Sequence, residues 1–272
     1  MGHTVAAVST VLAAFMGGLA LGAAVAGRAA GRLTERHALR AYALIEVAIA
    51  GCALVVPVAL SATRPVLSAT YADGAGSWFG VTRVAVSLLI LLAPTVAMGA
   101  TVPLAMRWVL RRLDRAGADA GDLYAVNTIG AALGAGLAAF ILLPGLGLRG
   151  STLIAAGLNL VAAAGAWTIA LGNAAPSPVG KRPQRTPISK SGSLGLATLA
   201  LAITGFVALV SEVAWTRVLT LVIGPTTYAF GIMLIVFIAG LSGGSFAAAR
   251  LAARVRHERQ WLAMAQDGML GF

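Results

Sequence analysis

The chain has 272 residues, of which 59% are hydrophobic and 11% charged, with a mean hydropathy of +0.89 and a net charge of +11. Soluble globular chains carry about a quarter charged residues, so this composition excludes that class. The basic residues stand in short stretches between apolar runs, as the positive-inside rule produces, and this weighs against a nucleic-acid partner.

Seven membrane spans are predicted, each near the roughly 20 apolar residues that cross a bilayer as a helix. The first covers about 4–26 and is followed by Arg28, Arg32, Arg36 and Arg40. It lacks the basic n-region of a cleaved signal peptide, so it reads as a retained span. The second covers about 41–62 and contains the single Cys52, a small packing residue with no disulfide or metal-spaced partner. A polar outer loop follows, TRPVLSATYADGAGSW, carrying Pro65, Gly74 and Gly76. The third span, about 84–106, is interrupted by Pro94 and Pro103, whose kinks free carbonyls able to line a cavity. The fourth covers about 123–143, and a tight PGLGLRG turn leads to the fifth, about 152–171. Residues 172–193 are rich in Pro, Ser, Lys and Arg, a cytoplasmic linker by composition. The sixth span is expected over about 194–213 and the seventh over about 226–247. Residues 248–272 form a basic amphipathic tail suited to the membrane surface.

An internal repeat organises this order. Gly2 to Arg32 matches Gly224 to Arg254 without a gap at 12 of 31 positions, among them Phe15 with Phe237 and Arg28/Arg32 with Arg250/Arg254. The pair Gly18 and Gly22 returns as Gly240 and Gly244, the small-xxx-small spacing that lets membrane helices approach closely. Taking alternate connections, one set holds 16 basic residues and the other four, which places the first set in the cytoplasm and the N-terminus outside. Both copies then run from outside to inside, a parallel repeat. Residues 1–171 read as a first membrane half lacking its opening helix, and residues 194–247 as the first two helices of a second half. The expected fold is therefore all-α, a polytopic transmembrane bundle with an incomplete parallel repeat, as in major-facilitator transporters.

The strings STVLAAFMGGLALG, APTVAMGATVPL, LYAVNTIGAALGA, LLPGLGLRG and FVALVSEVAWTRVLTLVIGPTTYAF occur in order along nearly the whole chain. They resemble the membrane region of fused spermidine synthases, bacterial proteins that join a major-facilitator-like domain to a cytosolic aminopropyltransferase domain. The resemblance implies a multi-pass protein of the bacterial inner membrane that anchors the synthase and binds or moves a polyamine or similar cationic solute. It implies two partners, the lipid bilayer and a C-terminal aminopropyltransferase domain of a longer parent. The Gly-rich acidic turn of that catalytic domain has no counterpart here, so no catalytic residue and no cofactor are expected in this chain.

The residues themselves single out Glu46 and Glu212, because an ionisable group at membrane depth is costly and marks a functional site by default. For Glu212 the structural alternative is an ion pair with Arg217, five residues on, near the outer end of its helix. Glu46 has no partner foreseen in its own segment, and Ser9 or Asn127 from another helix would satisfy it equally well. Tyr124, Asn127 and Thr128 form a polar group at the start of the fourth span, read as interhelical hydrogen bonding or as a binding group for the cation. His37 reads as solvated, and the tryptophans as an interfacial belt. Two other functions stay open: a stand-alone carrier unrelated to polyamines, with Glu46 as its proton or cation site, and a purely structural anchor.

Overall fold

The computed structural model describes residues 5–72, 76–109, 116–172, 193–224 and 226–252. Every element among them is helical. They are α1 (Val5–Ala30), α2 (Glu35–Ala62), α3 (Arg64–Ala72), α4 (Gly76–Val109), α5 (Ala116–Leu137), α6 (Leu143–Gly172), α7 (Ser193–Ile223) and α8 (Thr227–Ala252). A five-residue π-helical stretch, Ala138–Leu142, joins α5 to α6. An all-helical chain is the expected solution for so apolar a sequence, because a helix satisfies its backbone N–H and C=O groups without water.

Among the described residues, six stretches are long and apolar enough to cross a membrane: Ser9–Ala30, Glu35–Ala69, Gly80–Val109, Asp122–Gly172, Ala202–Ile223 and Thr227–Gly244. The fourth is 51 residues long, which at about 1.5 Å per residue exceeds twice the hydrocarbon thickness of a bilayer. It is not one straight rod. The π-helical stretch interrupts it, and Gly147, with φ 65° and ψ −175°, leaves helical geometry altogether. Its two arms also choose different neighbours, since α5 packs against α8 while α6 packs against α2. The outward surfaces are aliphatic: Leu89, Val161 and Val222 are 73%, 70% and 78% exposed. Such a surface is stable in lipid and not in water. Length, composition and this exposure fit a multi-pass membrane protein.

Several helices outrun their predicted spans. The loop expected after residue 62 contains the helix α3, in which Pro65 occupies the first turn, where its missing N–H goes unneeded. Gly74 lies outside the described residues. Helical bonding continues through Pro94 and Pro103, so neither ends α4. The Thr95 hydroxyl donates to the carbonyl of Leu91 at 2.8 Å, and Thr101 donates to Met98 at 2.7 Å. Such hydroxyls supply local partners in a proline-bearing membrane helix. The sixth span, expected to stop near Val213, runs on as α7 to Ile223 because TRVLTLVI keeps the apolar helical pattern. The linker 173–192 and the tail 253–272 lie outside the described residues.

Packing is carried by small side chains. Leu39 and Ala43 of α2 meet Ala163, Ala166 and Ala170 of α6, with Tyr42 and Trp108 laid against them. Ala30, Ala38 and Leu104 bring the end of α1, the start of α2 and the end of α4 together. The closest approach is α1 on α4. A Cβ on Gly18 would run into the Thr95 side chain, one on Gly22 into the Val96 carbonyl, and one on Gly99 into the Leu19 backbone. Helix packing was expected at Gly18, Gly22, Gly240 and Gly244. The first two are at such a seam, whereas among the described residues no other helix comes within 4 Å of a Cβ built on Gly240 or Gly244.

Candidate functional site: two buried carboxylates

Glu46 projects from the middle of α2, eleven residues from its start at Glu35, and is 6% exposed. Tyr42, one helical turn earlier, donates its hydroxyl to the Glu46 carboxylate. This corrects the reading that Glu46 has no partner in its own segment, since positions i and i+4 share a helix face. Neither Ser9 nor Asn127 takes that role, because α2 packs mainly on α4 and α6 and meets α1 near its own start, at Ala38 against Ala30.

Glu212 is more enclosed still. It is 1% exposed, the largest side chain among the described residues to be so fully buried. It stands nineteen residues from the start of α7 at Ser193 and eleven from its end at Ile223. At about 1.5 Å per residue that places it about 16 Å inside the helix, not at its outer end. Its Oε2 atom has no hydrogen-bond partner among the described residues. Thr216, 5% exposed and one turn on, donates its hydroxyl to the Glu212 backbone carbonyl at 2.7 Å and so leaves the carboxylate unserved. Arg217 is exposed, and among the described residues it forms no ion pair with Glu212. The reason is geometric. Five residues at 100° each carry Arg217 some 140° around the helix from Glu212, whereas pairs form at i+3 and i+4.

The two carboxylates do not share a helix seam, since α7 packs on α8 and more lightly on α1. The polar group of α5 is split. Thr128 is buried and donates to the carbonyl of Tyr124 at 2.6 Å, while Tyr124 and Asn127 are exposed. Two features escaped the sequence reading. His37 belongs to a helix cap: Thr34 accepts its backbone N–H at 3.4 Å, and the ring Nδ1 lies 2.7 Å from the same hydroxyl. The guanidinium of Arg40 lies over the ring of Trp167, 5.9 Å from its centroid. At the same end Arg107 donates from Nε to the carbonyl of Leu33 at 3.1 Å, holding the turn between α1 and α2.

No family model, curated protein or solved structure matches the chain.

Proposed function

We propose that this chain is the integral membrane domain of a spermidine-synthase-like fusion protein, anchoring the synthase in the bacterial inner membrane and binding a polyamine or similar cation. In this reading the 51-residue stretch crosses the bilayer twice, at α5 and at α6. The count becomes seven spans, with a major-facilitator-like parallel repeat, the N-terminus outside and the C-terminus in the cytoplasm. The observation that carries the binding function is Glu212, a carboxylate enclosed well inside its helix with an oxygen that no described residue serves. Placing a charged side chain at the bilayer centre costs about 2.5–3.5 kcal/mol on insertion scales, so an acid kept within a span without a partner suits a cationic ligand. Glu46 lies on a different helix seam, so in this reading it adds attraction for the cation without touching the ligand held at Glu212.

A different reading, the purely structural anchor, draws on the Tyr42–Glu46 hydrogen bond, which satisfies that acid within its own helix. Calorimetric titration of the purified protein in detergent with spermidine separates them. Saturable binding that is lost in Glu212→Gln and weakened in Glu46→Gln is the expected result. Absence of binding by the wild-type protein refutes the polyamine reading and leaves the anchor.

A further inference from the structure

We propose that Arg40 and Trp167 form a binding site for the phosphate of an anionic phospholipid, with an acyl chain lying along the groove between α2 and α6. Arg40 is five residues from the start of α2, and Trp167 is five from the end of α6. Both therefore stand about one and a half turns inside the same end of the bundle. Trp108, one residue from the end of α4, packs against the same α2–α6 cluster. The level is that of a membrane interface, where tryptophan and arginine concentrate.

The geometry is that of a pre-set anion receptor. The Arg40 guanidinium carbon lies 5.9 Å from the Trp167 ring centroid, within cation–π reach. The Nε atom is enclosed and has no hydrogen-bond partner among the described residues. Among those residues no ion pair neutralises Arg40. The fork of guanidinium donors matches phosphate oxygens better than an ammonium does, and a neighbouring aromatic ring narrows its orientations before the ligand arrives. Basic pockets between helices at one membrane face are known lipid-headgroup sites in general.

The surroundings choose a lipid over a soluble phosphate. Toward the bilayer centre the Arg40 stripe of α2 continues as Leu44 and Val47, 62% and 48% exposed. The Trp167 stripe of α6 continues to Leu160, two turns away and 49% exposed. The helices themselves close through Leu39, Ala43, Ala163 and Ala166, and the exposed aliphatic side chains flanking this alanine seam offer an acyl chain an apolar surface beside the cation. A phosphate joined to an acyl chain fits both halves at once.

The test is native mass spectrometry of the detergent-purified protein equilibrated with equimolar phosphatidylglycerol and phosphatidylcholine. The wild-type protein is expected to retain phosphatidylglycerol at least tenfold over phosphatidylcholine. Arg40→Gln should lose that preference, and Trp167→Leu should reduce it severalfold. Arg32→Gln removes an equal charge from the exposed turn at the same end and should leave it intact. Loss of preference in Arg32→Gln equal to that in Arg40→Gln overturns the site, as does unchanged retention in Arg40→Gln. Displacement of the lipid by millimolar glycerol phosphate would make the ligand a soluble phosphate and also overturn it. Should Arg40→Gln not fold, equal wild-type retention of the two lipids decides against the proposal.

Discussion

The two copies of the repeat bind their neighbours differently, and four alanine substitutions measure the difference. At Gly22 a new Cβ would lie 2.8 Å from the Val96 carbonyl carbon and 3.0 Å from the Ala100 nitrogen. At Gly99 it would lie 2.6 Å from the Leu19 Cα and 2.7 Å from the Leu19 carbonyl carbon. Carbon atoms rest at about 3.5–4.0 Å, so α1 and α4 must separate by about 1 Å, and a gap of that size forfeits up to half of each contact's attraction. Overpacking of this kind costs about 1–3 kcal/mol. Alanine returns up to about 1 kcal/mol over glycine through helix propensity, and it does so equally at all four sites. Gly22→Ala and Gly99→Ala should therefore destabilise the protein relative to Gly240→Ala and Gly244→Ala by about 1–3 kcal/mol. The latter two should be neutral or slightly stabilising, because among the described residues no other helix stands within 4 Å of the new methyl. Unfolding in mixed micelles with increasing dodecyl sulfate, followed by far-ultraviolet circular dichroism, reads the difference. Four variants within about 0.5 kcal/mol of one another, close to the ordinary scatter of surface substitutions, refute the packing argument.

Three further outcomes are expected. Glu212→Leu removes a buried polar group with an unserved oxygen and should raise stability by about 1–3 kcal/mol while abolishing spermidine binding. A lowered dodecyl sulfate midpoint for this variant counts against the placement of Glu212. Tyr42→Phe removes the hydroxyl that serves the buried Glu46 and should cost about 1–3 kcal/mol in the same unfolding assay. Thr34→Ala removes the cap of α2 and should cost about 1 kcal/mol, read as reduced helicity and a lower midpoint.

Much of the helix order was legible because a bilayer imposes one length scale on every apolar run. The repeat was legible too: α1 and α8 cover corresponding residues, Val5–Ala30 and Thr227–Ala252. Their environments were not. A glycine seam is a property of two helices, and the pattern on one strip cannot say whether a partner covers it. Gly18 and Gly22 meet Thr95 and Val96, residues far away in sequence, while Gly240 and Gly244 meet nothing close among the described residues. Boundaries failed where turn-forming residues stood at helix starts, as Pro65 does in α3. At the carboxylates both misses were local. The Tyr42–Glu46 spacing is the i+4 pair that helices favour, and the Glu212–Arg217 spacing of five is not. Helical geometry alone would have separated them. The cation–π contact of Arg40 with Trp167 joins two helices distant in sequence and left no local signal.

Topology is the most direct test of the account, because the sides on which two turns lie fix whether the number of spans between them is odd or even. In a background with Cys52→Ser, single cysteines at Gly31, between α1 and α2, and at Thr227, at the start of α8, are both exposed to label. A membrane-impermeant maleimide applied to intact cells and to inside-out vesicles reports the side of each. Seven spans, with α5 and α6 each crossing, place five between these positions and hence put them on opposite sides, Gly31 in the cytoplasm and Thr227 outside. Labelling of both from the same side would mean that Asp122–Gly172 crosses an odd number of times, and the seven-span parallel repeat would be contradicted.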